Sequence, residues 1–329
     1  MNGEVAEDRM VKAEDMRDAY GETLAEIGED PRVVVLDADL SHSNKTNLFA
    51  KKFPERFFES GIAEANMISV AAGLAMSGLI PFAHTFSVFA AGRVYDQVRI
   101  SVCYQNVNVK IVGTSAGLSD SHDGATHQSF DDIALVRALP NMTVVVPCDA
   151  VEVRMATRAI YEHVGPTYLR INRMPIPLVY SSPDECTFKI GKAVTLREGS
   201  DVSVVASGMP VGLALKASEE AAREGISVEV LNMHTLKPID RDSILRSAKR
   251  TGAVVTVEEH SVIGGLGSAV SEVLGEETAV PIERVGIQDR FGQSALDYDE
   301  LLREYGITVE NILTAIKSCL LYTSPSPRD

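Results

Sequence analysis

The chain has 329 residues, 23% of them charged and 45% hydrophobic, ordinary values for a globular protein with room for two domains. Its 31 Lys and Arg against 46 Asp and Glu give a formal net charge of −15, which argues against nucleic acid as a main partner, because phosphate backbones demand clustered cations. Apolar runs such as GLAMSGLIPFA at 73–83 are short and interrupted, so no membrane-spanning segment is expected.

The first dozen residues are charged and lack the apolar centre of an export signal, so the expected location is the cytoplasm. From Met16 the chain alternates helical and strand patterns. MRDAYGETLAEIGED (16–30) has helical periodicity and stops before Pro31, and VVVLDADL (33–40) reads as a buried strand. EANMISVAAGLAMSGL (64–79) is a helix of closely packing small residues; PFAHTF (81–86) is a short strand and FAAGRVYDQVRISVCY (89–104) a longer helix. VKIVGT, TVVVP and TYLRI supply further strands, with helices at 131–138 and 150–161. Such alternation predicts a mostly parallel sheet covered by helices on both faces.

Three prolines and a serine pair interrupt the pattern over 171–188. The linker is placed at 175–188, dividing a unit at 12–174 from a second α/β unit at 189–318. In the second unit DVSVVAS, ISVEVLN, AVVTVEE and PIERVGI read as strands. Helices follow at 210–224, 240–250 and from 265, and TVENILTAIKSCL closes the unit. No internal repeat relates the halves. LYTSPSPRD after Leu320 has a turn-prone composition resembling a translated sequencing adapter, and 319–329 is expected to be a non-native tail.

Four cysteines, at 103, 148, 186 and 319, form no CxxC and do not cluster with histidine, so they are expected to be free thiols and no metal site is expected on this chain. GGLGS (264–268) lacks the full GxGxxG fingerprint and is read as tight strand–helix packing.

Two stretches carry chemistry. GIAEANM (61–67) places one carboxylate, Glu64, at the start of an apolar helix. Taken alone, Glu64 is a first-turn residue complementing the helix dipole. SDSHDGATHQ (119–128) is a polar loop in which Asp123 and His127 are separated by glycine and small residues. In this order within one α/β unit, the two stretches resemble the pyrimidine-binding domain of the transketolase family, and the second unit, including MHTLKPID at 233–240, resembles the family's C-terminal domain. The resemblance covers roughly residues 12 to 318.

That resemblance implies a fold of two domains, each a mostly parallel sheet flanked by helices, and thiamine diphosphate as cofactor. It makes Glu64 the carboxylate that meets the cofactor's aminopyrimidine. Phe86 and Phe89, in TFSVFAAG, are then candidates to stack on that ring, the other reading being that they are core. Asp39, in DADLSHSN, matches an acidic residue near the cofactor and subunit interface. Asp123 would contact a substrate hydroxyl, and His127 would lie beside the reacting carbon, where a switchable donor suits a developing alkoxide. His122 is read as a loop residue, and Ser115 stands where many transketolases have a histidine. Arg17, Ser43 and Arg173 would recognise the sugar phosphate, since an arginine fork matches phosphate geometry, with Arg170 the alternative to Arg173.

The family's GDG with a downstream Asn, which binds diphosphate and Mg2+, is missing from the sequence. The resemblance therefore implies half an enzyme: the C-terminal subunit of a split transketolase, active with an N-terminal partner that carries the Mg2+ ligands, in an α2β2 assembly. It would transfer a two-carbon ketol unit between sugar phosphates. Three alternatives stay open: the beta subunit of a 2-oxo acid dehydrogenase, half of an enzyme like 1-deoxy-xylulose-5-phosphate synthase, and a non-catalytic assembly homologue. The DG pair before the histidine weighs against the first.

Overall fold

A computed structural model of the chain describes residues 13–321. A short strand β1 (Ala13–Asp15) leads into α1 (Met16–Ile27), whose first turn is capped by the Asp15 carboxylate accepting from Arg17 N–H. Gly28 ends α1, three residues before the sequence pattern suggested. The three valines that open Val33–Asp37 are β-branched, and the segment forms β2, every residue buried. Then come α2 (Ser41–Asn44), α3 (Asn47–Lys52), β3 (Phe57–Glu59), α4 (Glu64–Met76) and β4 (Ile80–Phe86). The expected helix over 89–104 is instead a π-helical turn at Phe89–Arg93, α5 (Tyr95–Gln97) and a second π-helical stretch at Val98–Tyr104. β5 (Lys110–Thr114), α6 (Asp132–Arg137), β6 (Thr143–Val145), α7 (Ala150–Glu162) and β7 (Thr167–Arg170) complete the first unit.

Within the proline-rich stretch, β8 (Pro175–Pro177) pairs antiparallel with β1, so the start of the described chain is tied to the segment between the units. The second unit runs β9 (Val194–Arg197), β10 (Val202–Ala206), α8 (Pro210–Arg223), β11 (Val228–Asn232), β12 (Thr235–Lys237), α9 (Arg241–Thr251), β13 (Val254–Ser261), α10 (Leu266–Glu277), β14 (Ile282–Ile287), α11 (Tyr298–Glu304) and α12 (Val309–Leu321). Of the stretch read as a foreign tail, Cys319–Leu321 continue α12 with Cys319 fully buried, and 322–329 lie outside the described residues.

The architecture is two α/β domains built on mostly parallel sheets. The seven-stranded sheet has the order β12-β6-β7-β5-β4-β2-β3, parallel except for β12. The five-stranded sheet has the order β14-β13-β10-β11-β9, parallel except for β9. β12 comes from the second unit yet closes the edge of the first sheet. One apolar core also runs through both units, from Leu24, Phe82 and Leu169 to Val204, Val230 and Val257.

In the first sheet β2 lies between β3 and β4, so the connections leaving β2 and β3 diverge to opposite sides and open a crevice at the carboxyl ends of the strands. Five loops meet there. They begin after Asp37, Glu59, Phe86, Thr114 and Arg170, and the site residues expected from sequence lie on them or in the elements that flank them, with Phe86 ending β4, Ser43 in α2 and Glu64 opening α4; Arg17 sits apart in the first turn of α1.

Candidate active site

Glu64 opens α4 after Ala63, whose side chain makes no cap, and only 3% of the Glu64 side chain is exposed. A carboxylate serving only the helix dipole would stay in water, so its burial needs a partner. Arg93 is that partner: its Nη1 donates to Glu64 Oε1 at 2.6 Å. The π-helical turn Phe89–Arg93 carries both Arg93 and Phe89, and the Arg93 guanidinium lies 4.0 Å from the centre of the Phe89 ring.

Phe86 and Phe89 lie near-parallel, with centroids 6.3 Å apart and 20° between planes. His127 stands edge-on to both, at 6.2 Å from Phe86 and 5.7 Å from Phe89. Its Nδ1 is 2.9 Å from Thr126 Oγ1, which leaves Nε2 as the nitrogen able to meet a ligand. Glu64, Phe86, Phe89 and His127 therefore form one group, with Arg93 at its edge.

Arg173 adjoins this group, its guanidinium 5.9 Å from the Phe86 ring. It pairs with Asp120 at 2.7 Å; the Arg173 side chain is 33% exposed and Asp120 is buried. Burial pushes the Asp120 carboxyl above its usual range, Arg173 works against that shift, and Asp123 adds to it. Asp123 is exposed, on the same loop. Arg170 is placed quite differently. Its guanidinium is buried, donating to Asp132 Oδ2 at 2.8 Å and to the carbonyls of Ser129 and Glu259 at 3.0 Å each, so none of it faces the crevice mouth.

Arg17 and Ser43 are brought together, with Arg17 Nη1 donating to the Ser43 carbonyl at 3.3 Å. Two further Arg17 donors are taken by Asp15, at 3.1 and 2.7 Å. Asn44 fixes this corner, donating to Asp37 Oδ2 at 3.0 Å and accepting from Thr114 Oγ1 at 2.6 Å. Asp37 is buried and its carboxyl is pushed up to about 6 by loss of solvent. Asp39 is exposed with φ +62°, and its N–H shares Glu59 Oε1 with the N–H of Gly61, three residues before Glu64.

Sequence reasoning missed Arg93 and Asp120. An arginine four residues after Phe89 was the available signal for the first; the second was hidden because Asp120 lies three residues outside the DG motif. Ser115 has φ +51°, a left-handed conformation costing roughly 1–3 kcal/mol outside glycine, and its buried hydroxyl has no hydrogen-bond partner. His122 is exposed. Among the described residues, no three or more His, Cys, Asp or Glu are grouped so that they could hold a metal ion.

Comparison with known proteins identifies the family. Residues 12–177 match the transketolase pyrimidine-binding domain family and residues 191–312 the transketolase C-terminal domain family, the first a family that uses thiamine diphosphate. The chain is 48% identical over 301 residues to the 6-deoxy-6-sulfo-D-fructose transketolase subunit SqwH of Clostridium sp. MSTE9, covering 91% of this chain and 92% of that one. It is 38% identical over 300 residues to an apulose-4-phosphate transketolase subunit of Phocaeicola vulgatus, covering 90% and 94%. A solved structure described as a split gene transketolase, inactive beta4 tetramer, superposes with a TM-score of 0.85 at 48% identity, over 94% of this chain and 99% of that one. The chain belongs to the transketolase family, as the C-terminal half of a split transketolase.

Proposed function

We propose that this chain is the pyrimidine-side subunit of a thiamine diphosphate-dependent transketolase that moves a two-carbon ketol unit from a ketose phosphate to an aldose phosphate. In this reading it works only with a separate N-terminal subunit, in a cytoplasmic α2β2 assembly, and that subunit supplies the Mg2+ and diphosphate site. The convergence of Glu64, Phe86, Phe89 and His127 on one crevice carries the proposal.

The residues present fit the flat aminopyrimidine end of the cofactor, since a pair of phenylalanine rings is joined through Arg93 to the buried Glu64 carboxylate. When bound, thiamine diphosphate supplies a thiazolium carbon nucleophile that cleaves and forms the carbon–carbon bond beside a carbonyl. Glu64 would hold the proton at the pyrimidine N1′, with Arg93 keeping its carboxylate oriented. Phe86 or Phe89 would bear the ring face. Asp39 lies at the lip formed by the Gly61 turn, where cofactor and partner would meet. His127 would donate to the substrate oxygen that gains charge, Asp123 would take a sugar hydroxyl, and Arg173 the terminal anion. Arg17 and Ser43 would frame the outer part of the substrate.

The two relatives named above act, by their names, on a sulfonated and a phosphorylated sugar. Both end groups are tetrahedral oxyanions, so the assay should offer both.

The test is Glu64→Gln in the chain assembled with an N-terminal split-transketolase subunit. Loss of proton-transfer help should lower kcat by about 10²–10⁴-fold, with the melting temperature and assembly unchanged. A kcat within a few-fold of wild type would return Glu64 to a structural role.

A further inference from the structure

The loop bearing Asp120, Asp123 and His127 is held from the second domain. Its base is pinched by reciprocal bonds between Gly117 and Ser129, at 2.7 and 3.0 Å. Just inside the pinch, the Leu118 N–H donates to Glu259 Oε1 at 2.8 Å, and Glu259 lies at the carboxyl end of β13 in the other domain. The approach is so close that a Cβ on Gly117, whose φ is +65°, would lie 2.4 Å from Glu259 Cδ. The second oxygen, Oε2, accepts from Asn172 Nδ2 at 3.0 Å. Asn172 in turn donates to the Tyr298 hydroxyl at 2.9 Å and accepts from Met174 N–H at 2.8 Å. It immediately precedes Arg173, so one buried carboxylate touches both strands of chain that deliver site residues.

Elsewhere along its length the loop meets the second domain again. Gln128 Nε2 donates to the Gln293 carbonyl at 2.9 Å and Ala295 N–H donates to the Ser121 carbonyl at 2.9 Å. A Cβ on Gly124 would lie 2.3 Å from Ser294 Oγ.

We propose that Glu259 is a positioning residue for the catalytic loop: from the C-terminal domain it sets the places of Asp120, Asp123 and His127 on one side and Arg173 on the other. This gives the second domain a part in the active site itself. Calling the loop catalytic rests on the function proposed above; that Glu259 holds it does not.

The hydrogen-bond pattern suggests a stringent test. Glu259→Ala removes both acceptors. Glu259→Gln keeps one acceptor for Leu118 but turns a donor toward the Asn172 amide, which is also a donor. Adding Asn172→Asp to Glu259→Gln swaps donor and acceptor between the two side chains, and Tyr298, whose hydroxyl also donates to Glu259 in the wild type, can turn it to the aspartate, so the bonds that tie position 259 to Leu118 and to position 172 are restored. Amide hydrogen exchange on the full chain, without partner, cofactor or sugar, reads the loop directly.

In Glu259→Ala and Glu259→Gln, exchange over 118–128 should speed by at least about tenfold while β10 (Val202–Ala206) is unchanged. The swapped pair should return it toward wild type. Wild-type exchange in both single variants would overturn the proposal, as would acceleration shared equally with β10, or a swapped pair as loose as Glu259→Gln. Activity in the assembled enzyme separates the two claims: a loosened loop with undiminished kcat and KM supports Glu259 as the holder and refutes the catalytic role of the loop.

Discussion

Two arginines three residues apart have opposite fates. Arg173 reaches the crevice with its charge shared by Asp120, whereas Arg170 is buried against Asp132 and ties the first domain to the Glu259 carbonyl. If Arg173 grips the substrate anion, Arg173→Ala loses a charge-assisted contact worth about 1.5–3 kcal/mol, a rise in KM of roughly 10–100-fold for phosphorylated or sulfonated sugars. An uncharged acceptor such as glycolaldehyde should be nearly unaffected, and equal losses on both kinds of acceptor would assign Arg173 to structure. Both changes strand a buried aspartate, but Arg170 is itself buried and also holds two carbonyls, so Arg170→Ala should cost the more stability, about 3–5 kcal/mol in urea unfolding. This distinction was invisible in YLRINRMP, where burial is decided by which side of the strand end each residue leaves. Glu64 and His127 were legible because their neighbours are distinctive; Arg93 was not, because the π-helical turn that swings it onto Glu64 has no plain sequence signature.

Long elements with strong periodicity were readable, and short ones were not. β3, β8 and β12 are three residues each, too brief for alternation to show, and they form through pairing with partners distant in sequence. The α7 cap illustrates what local pattern misses even in a well-read helix. Asp149 accepts from Glu152 N–H at 2.8 Å in an ordinary cap, but its other oxygen accepts from Val179 and Tyr180 in the segment between the units. Glu152 accepts from Cys148 N–H at 2.7 Å and from Asn232 of β11 at 2.7 Å. Burial pushes the Glu152 carboxyl up to about 7. With the folded pKa raised, ionising Glu152 penalises the folded state fully above about 7, and the penalty is relieved as pH falls toward the unfolded value near 4.5. Glu152→Gln carries no such penalty. Its stability relative to wild type should therefore improve by up to about 3 kcal/mol between pH 5 and pH 8, read from urea midpoints of both proteins. A difference independent of pH would show that Glu152 titrates normally in the folded chain.

At the scale of the whole molecule the two domains are not beads on a string. Two apolar clusters run through both, an edge strand crosses from the second unit into the first sheet, and the loop pinched at Gly117 and Ser129 is bonded from across the boundary. Folding this chain thus completes the pyrimidine side of the proposed site without help. The diphosphate side is another matter. A diphosphate needs clustered donors and a divalent cation, while this chain carries a net charge of −15 and lacks the GDG signature. The aromatic pair and Glu64 can offer only ring contacts, which by themselves give weak affinity. Titration calorimetry of the purified chain with thiamine diphosphate and Mg2+ should accordingly detect no binding tighter than about millimolar, some 4 kcal/mol. Adding an N-terminal split-transketolase subunit should bring binding into the micromolar range. Glu64→Gln should weaken that binding far less than it lowers turnover, because the diphosphate supplies most of the affinity. Micromolar binding to the chain alone would mean that it contains a diphosphate site, and would end the reading of this protein as one side of a two-chain active site.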